Sequence, residues 1–276
     1  MSDPSRSRPP VTKRDLVVGL RGCGVVPGMT VMVHTSISSL GYVVGGADSV
    51  ISALLEAVGP SGTIIMLVGW EHDAFDIDEW PERVRTAYLN DPPVFDHRRS
   101  EGARYVGRLP ERARTWPGAV TSTHPEARFV AIGAGAEAIT AEQPLHHPYG
   151  AGSPLAKLVD ADGYVLLLGA PLETITLLHH AEELARVTPK KIVNYRAYVL
   201  DATGEHWVDI EDIDTSKGAF PYDDVVGDRD SFEVIAEEAL ESGIGRTGRI
   251  GEATTRLFPA KELLRFAVDW IERRFG

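Results

Sequence analysis

The chain has 276 residues, 43% hydrophobic and 25% charged, enough to bury a globular core without disulfides or a structural metal as staples. Its single cysteine excludes an internal disulfide and a multi-cysteine metal site, and that usage suits a reducing cytoplasm. A formal charge of −12 argues against nucleic acid as a partner and favours a cationic small molecule, although solubility alone also selects acidic surfaces.

The opening MSDPSRSRPPVTKRD is polar, with no apolar run behind it, and reads as a frayed arm rather than a signal peptide. No apolar stretch approaches the roughly 20 residues that span a membrane. Thr12 is placed to cap a helix over KRDLVVGLRGCG, with Leu16, Val17 and Leu20 on one face and Gly22 near its end. MTVMVH, Met29 to His34, has the β-branched content of a strand. After a loop of hydroxyls and glycines, Val50, Ile51, Leu54, Leu55 and Val58 repeat at helical spacing. Asp48 or Ser49 is the expected cap of that helix and Gly59-Pro60 its stop. TIIMLV, Thr63 to Val68, is an apolar run of strand length. Strand, helix and strand within about 40 residues make a βαβ unit, so part of the sheet should be parallel and covered on both faces.

Residues 69–116 break this pattern. They lack a sustained period, mix charge with aromatics, and read as an irregular insertion of the kind that carries function. Strands resume at ARFVAIG, Ala127 to Gly133, and GYVLLLGA, Gly163 to Ala170. TITLLHHAEELARV is a helix whose core stripe is Leu177, Leu178, Ala181, Leu184 and Ala185. KIVNYRAYVL and HWVDIED flank the turn DATGE as a hairpin. Asp230 and Glu233 form a capping box for SFEVIAEEALES. The last helix, AKELLRFAVDWIERRF, buries Leu263, Leu264, Phe266 or Ala267, and Ile271. Without a repeat or linker, the simplest organisation is one domain over 1–276 with a substrate-side insertion at 69–116.

The stretch VHTSISSLGYVVGGADSV, Val33 to Val50, leaves a strand and opens a helix. Such a loop offers unpaired backbone N–H groups and the positive end of the helix dipole, an arrangement suited to anions. Ser36, Ser38 and Ser39 add hydroxyls, and Gly41, Gly45 and Gly46 permit close approach to the backbone. Neither G-x-x-x-x-G-K-S/T nor G-x-G-x-x-G is present, so spacing alone also allows a plain turn. Of nine histidines, His34 ends the first strand, His124 lies in THPE, and His179 and His180 adjoin on a helix. At 100° per residue His179 falls on the polar face near Glu182 and Glu183, while His180 lies nearer the apolar stripe. A carboxylate one turn away fixes the tautomer of a general base; an incidental pair on a solvated face is the alternative. The pairs at 146–147 and 179–180 do not share a helix face and no H-E-x-x-H occurs, so no metal is expected. No G-x-S-x-G supports a serine hydrolase.

Four stretches, in this order, resemble the aminoglycoside 3-N-acetyltransferases: VHTSISSLGYVVGGADSVISALLEAVGPSGT, HPEARFVAIGAGAEAIT, GAGSPLAKLVDADGYVLLLGAPLETITLLHHAEELA and GRIGEATTRLFPAKELLRFAVDWIERRFG. The resemblance covers most of the chain and is thinnest at 71–114 and after Glu211. It implies an α/β three-layer sandwich with a central mixed, partly parallel sheet and helices on both faces, distinct from the common small N-acetyltransferase fold. It implies acetyl-CoA-dependent acetylation of an aminoglycoside, at the 3-amino group, by direct transfer in a ternary complex, with antibiotic resistance as the outcome. His179 matches the histidine of the family's L-H-x-A-E segment as general base, and Glu182 matches the carboxylate that orients it. Coenzyme A is then expected against His34, Thr35, Ser36, Ser38, Ser39, Leu40 and Gly41, with Ser153 and Thr176 nearby.

The implied acceptor is a polycation, so Glu71, Asp73, Asp76 and Glu79, with Trp70, and Asp214 in a later loop are substrate-binding candidates. Each contact would be a charge-assisted hydrogen bond of about 1.5–3 kcal/mol. Cys23 is a poor nucleophile candidate. A cytoplasmic monomer or homodimer is expected. A different small amine metabolite is the alternative acceptor, and a cofactor- or drug-binding protein without turnover is the alternative class.

Overall fold

The computed structural model describes residues 9–276, so residues 1–8 of the expected arm lie outside it. The strands are β1 (Thr30–Thr35), β2 (Thr63–Leu67), β3 (Val120–Thr121), β4 (Phe129–Gly133), β5 (Tyr164–Leu168), β6 (Ile192–Asp201), β7 (Gly204–Ile213), β8 (Arg246–Ile250) and β9 (Ala253–Pro259). Seven form one sheet in the order β3-β4-β2-β1-β5-β9-β8, and β6 and β7 form a separate hairpin. β1 runs parallel to both neighbours, β2 and β5, and the other pairings are antiparallel. The expected mixed, partly parallel sheet is therefore present.

The helices are α1 (Lys13–Gly22), α2 (Gly46–Val58), α3 (Glu82–Asn90), α4 (Arg108–Arg114), α5 (Ala136–Thr140), α6 (Pro154–Asp160), α7 (Leu177–Leu184), α8 (Asp223–Val226), α9 (Ser231–Glu241) and α10 (Ala260–Phe275). Pleating sends alternate strand residues to opposite faces and so builds two cores. Val31 and Val33 of β1, Ile64 and Met66 of β2, and Leu166 and Leu168 of β5 pack with α1, α2 and α4. Met32, Ile65, Val165 and Leu167 point the other way, against α5, α6, α7, α9 and α10. Each buried aliphatic side chain contributes about 1.5–3 kcal/mol, so both faces of the sheet are strongly held.

Several elements differ from the sequence expectation. α2 begins at Gly46, with Gly45 in the left-handed region (φ 81) as its cap, so Asp48 lies inside the first turn. There its carboxylate takes a bidentate pair from Arg112 at 2.6 and 3.0 Å. The 69–116 segment contains two helices. α3 buries no residue, which is why it has no apolar period, while Leu109 and Ala113 of α4 join the core. Leu184 is not a core residue, because α7 ends there and leaves it 43% exposed. Asp230 caps α9, but Glu233 faces Arg229 at 3.4 Å instead of closing a capping box. α10 buries Ala267 rather than Phe266, and Trp270 as well.

No described helix is long and apolar enough to cross a membrane. The onward connection of β1 leads to α2 on one face, and that of β5 leads to α7 on the other. Adjacent parallel strands whose connections part in this way leave a crevice at their carboxyl ends.

Candidate active site

That crevice is a cleft of about 850 Å³. Its wall takes His34, Thr35, Ser36 and Ser38 from the end of β1, Gly46 and Ala47 from the start of α2, and Thr176 and His179 from the entry to α7. Tyr105, Val106, Gly107 and Arg108 close it from the insertion side. Hydroxyls, a helix N-terminus without a Cβ at Gly46, and one guanidinium suit a long anionic cosubstrate. Arg108 is exposed and has no carboxylate partner among the described residues. His34 adds an unpartnered, inaccessible Nε2, and burial pushes its pKa down to about 4, so the ring is neutral. An Arg108→Ala variant is expected to raise KM for acetyl-CoA about 10-fold, the scale of one charge-assisted phosphate contact, with kcat unchanged. Steady-state kinetics at fixed acceptor concentration checks this.

His179 is held from all sides. Its Nδ1 donates to Glu182 Oε2 at 2.8 Å, which in the neutral ring makes Nε2 the acceptor nitrogen, and Nε2 has no partner among the described residues. Phe232 packs edge-on to the ring at 4.7 Å between centroids, and Tyr149 lies tilted at 5.2 Å. Glu182 is fully buried, and its Oε1 accepts from the Ala219 N–H at 3.0 Å and the Tyr222 hydroxyl at 2.9 Å. Burial, then the Glu182 charge, push the Tyr222 phenol up, so it stays a donor. One helical turn thus produces an imidazole with a fixed tautomer and a fixed plane.

The other histidines of interest are structural. His180 Nδ1 donates to the Tyr149 carbonyl at 2.7 Å. His124 Nδ1 accepts from the Glu126 and Ala127 N–H groups at 3.2 and 2.8 Å, so its proton is on Nε2, which donates to the Leu145 carbonyl at 3.1 Å. Burial pushes His124 down to about 3.

Around Tyr149 lies a group of acids with no lysine or arginine partner among the described residues. Tyr149 donates its hydroxyl to Glu126 at 3.1 Å. Burial, with the charge of Asp73, pushes Glu126 up to about 8. Burial, with the charge of Glu126, pushes Asp212 up to about 9. Asp73 is pushed up to about 6, mainly by burial. A folded-state pKa raised above the unfolded value of about 4 means the native state keeps protons that the unfolded chain releases. The protein without ligands should therefore lose stability as pH rises from about 4 through the folded values near 8 and 9. Asp212→Asn should flatten that slope; melting temperatures between pH 5 and about 9, taken on both proteins, check it.

The expected cofactor residues divide. His34, Thr35, Ser36, Ser38 and Thr176 reach the cleft. Ser39 instead donates to the Ser36 and Gly169 carbonyls at 2.7 and 3.0 Å, tying β1's loop to β5's. Leu40 is a core side chain with no exposed surface. Gly41 (φ 91) packs beside Glu252, outside the cleft wall. Ser153 is the buried cap of α6, accepting from Ala156 N–H at 3.1 Å and donating to the Tyr149 carbonyl at 3.2 Å.

The expected substrate residues divide as well. Trp70 is 2% exposed and packs against Phe95, so it supports the wall rather than presenting a face. Glu71 is paired with Arg104 at 3.0 Å and Glu79 with Lys217. Asp76 receives the Trp80 indole at 2.8 Å, and Asp214 caps its own turn through Ser216 and Lys217. Asp73 alone of the six adds its charge to the Glu126 group. The sequence reading missed Arg108, Glu126, Tyr149, Asp212 and Tyr222. Arg108 had a local signal, a cation directly after the helix-starting Gly107; the others are brought together only by the fold.

Residues 32–272 match the family described as aminoglycoside 3-N-acetyltransferase. The chain is 47% identical over 274 residues to aminoglycoside N(3)-acetyltransferase VIII of Streptomyces fradiae, covering 98% of this chain and 95% of that protein. The crystal structure of aminoglycoside acetyltransferase AAC(3)-Xa superposes with a TM-score of 0.93 at 45% identity, covering 97% of this chain and 94% of that one. AAC-IIIb, solved as a binary complex with CoASH, superposes with a TM-score of 0.88 at 41% identity, covering 97% and 98%.

Proposed function

Since the chain belongs to the aminoglycoside 3-N-acetyltransferase family, we propose that His179, oriented by Glu182, is the general base of its acetyl transfer. The enzyme uses acetyl-CoA to acetylate aminoglycosides at the 3-amino group, and these relatives give no support to a different amine metabolite. The observation that carries the site reading is the 2.8 Å bond from His179 Nδ1 to a fully buried Glu182, which leaves Nε2 for the cleft.

The acceptor amine is an ammonium near neutral pH and must lose a proton to attack the thioester. Once one proton has left to solvent, the free amine attacks, and His179 Nε2 takes a second proton from its nitrogen as the N–C bond forms, with Glu182 stabilising the resulting imidazolium. The C–S bond breaks and the proton passes to the departing thiolate. Backbone N–H groups of the loop after β1 are the candidate donors to the developing oxyanion. Direct transfer is supported by the state of Cys23, which is buried in the α1 turn, its thiol pushed up by burial, with no role in the cleft.

Thr35, Ser36, Ser38, Thr176 and His34 are the cofactor-side residues of this reading, with Arg108 added. One domain is the organisation supported by two cores sharing one sheet. Base, carboxylate and cleft all come from one chain, so no partner subunit is needed to complete the site, which supports a monomer or homodimer, and the use of acetyl-CoA supports a cytoplasmic enzyme. Acetylation removes one cationic donor from a drug that binds RNA through such donors, which supports a role in resistance. The test is thiol release from acetyl-CoA with a panel of aminoglycosides, the product analysed by NMR. Acetylation of any nitrogen other than the 3-amino group, or no thiol release across the panel, overturns the reading.

A further inference from the structure

Pleating puts His34 on the same face of the sheet as Met32, two residues before it in β1, and beside Leu167 of β5, its partner in register. That face is the one α7 covers, so His34 lies on the side of the sheet from which α7 brings His179 to the cleft. The two imidazoles have opposite surroundings. His179 is bonded through Nδ1 to a buried carboxylate. His34 has no hydrogen-bond partner at either ring nitrogen among the described residues, and its Nε2 is sealed from solvent. The residue as a whole is half-buried and Nδ1 is not sealed, so Nδ1 is the nitrogen that meets the cleft.

Burial pushes the His34 pKa down to about 4, so near neutral pH the ring carries a single proton. Buried N–H groups without an acceptor are rarer than buried acceptors left idle, which assigns that proton to Nδ1 and the idle lone pair to Nε2. His34 therefore presents a neutral N–H donor to the cleft. An aliphatic side chain would end β1 without forfeiting a hydrogen bond to water at a sealed nitrogen, so the ring's use lies at its other nitrogen. A neutral imidazole donor polarises a carbonyl without giving its proton away. The thioester carbon must come close to the amine that His179 deprotonates, which brings the thioester oxygen to this part of the wall.

We propose that His34 is a catalytic residue of the acetyl transfer, its Nδ1–H donating to the thioester carbonyl oxygen alongside the backbone N–H groups of the loop after β1. This rests on the acetyl transfer above and divides the work between two histidines: His179 moves protons on the amine, and His34 holds charge on the oxygen. As the N–C bond forms, the carbonyl π pair moves onto oxygen and the hydrogen bond from Nδ1 strengthens. When that pair returns, the C–S bond breaks and its electrons leave with sulfur. The His34 proton stays on Nδ1 throughout.

The experiment uses the full chain, three variants (His34→Ala, His34→Asn and His34→Gln), and acetyl-CoA isotopically labelled at the thioester carbonyl. Isotope-edited infrared spectra of the binary complexes read the carbonyl stretch, and thiol release with an aminoglycoside acceptor reads kcat and KM. In the wild type the bound carbonyl should absorb at lower frequency than in free acetyl-CoA, and His34→Ala should return it toward the free value. The same variant should lower kcat by about 10²–10³-fold, the usual loss on removing one oxyanion donor, with both KM values little changed. The amide N–H of asparagine reaches the place of Nδ1 and that of glutamine the place of Nε2. His34→Asn should therefore recover much of the frequency shift and the turnover, and His34→Gln should recover neither. An unchanged kcat in His34→Ala, recovery by His34→Gln alone, or a raised KM for acetyl-CoA with kcat intact overturns the assignment; the last would make His34 a contact to the pantetheine arm. If His34→Ala does not fold, the other two variants carry the test, and equal behaviour of the two overturns it. Wild-type turnover with unaffected variants refutes the donor alone; a wild type that releases no thiol with any aminoglycoside refutes the acetyl transfer and the donor together.

Discussion

Replacing His179 with alanine should lower turnover by about 10²–10⁴-fold, the usual contribution of a positioned general base. The same variant should bind coenzyme A nearly as well as the wild type, because the cofactor-side wall is built from the loop after β1 and from Arg108. Thiol release measures the first quantity and calorimetric titration with coenzyme A the second. The change removes a ring packed against Phe232 and Tyr149, so melting temperature must be followed alongside. A folded variant with wild-type turnover would give the proton to some other group and leave His179 a structural residue.

The second large effect is expected at Glu182. Its two oxygens are fully engaged as acceptors, Oε2 from His179 and Oε1 from Ala219 and Tyr222. Glu182→Gln keeps the shape but introduces an NH₂ that must face one side or the other. Turned toward His179, it donates to Nδ1 and drives the ring proton to Nε2, the wrong tautomer for a base. Turned toward Ala219 and Tyr222, it sets donor against donor in a buried site. Turnover should fall by roughly 10²–10⁴-fold, as in other triads whose orienting carboxylate is made an amide. Glu182→Ala should in addition cost about 1–3 kcal/mol for each buried donor left unpaired, read from denaturant unfolding. Stability unchanged in the alanine variant would mean that water or a rearranged chain replaces those bonds.

The parts of this site that lie within one helical turn or one strand end were legible in the sequence. His179 and Glu182 are three residues apart, and helical spacing alone brings them together. The β-branched runs of β1 and β2 around an amphipathic α2 specified the parallel βαβ unit. What failed did so for identifiable reasons. Ser153 precedes Pro154 at a helix start, so its hydroxyl is taken by α6 itself; serine followed by proline is a helix-start signal, and it went unread as one. Glu71 and Glu79 could not be separated from Asp73 because their partners, Arg104 and Lys217, lie far along the chain. Glu126 and Asp212 stand 86 positions apart, and only the tertiary fold reveals that they share a buried, cation-poor space.

The His179–Glu182 pair and the hairpin belong to separate parts of the fold. His179 and Glu182 stand on α7 in the main body, whereas Asp212 comes from a hairpin that belongs to no larger sheet and keeps a small core of its own in Tyr195, Ala197 and Ile210. That hairpin is fastened sideways by the Phe95 backbone, which bonds Tyr198 and Leu200 at 2.8 Å. Sequence drift confined to that ribbon and its Phe95 strap is therefore expected to spare the His179–Glu182 pair of α7.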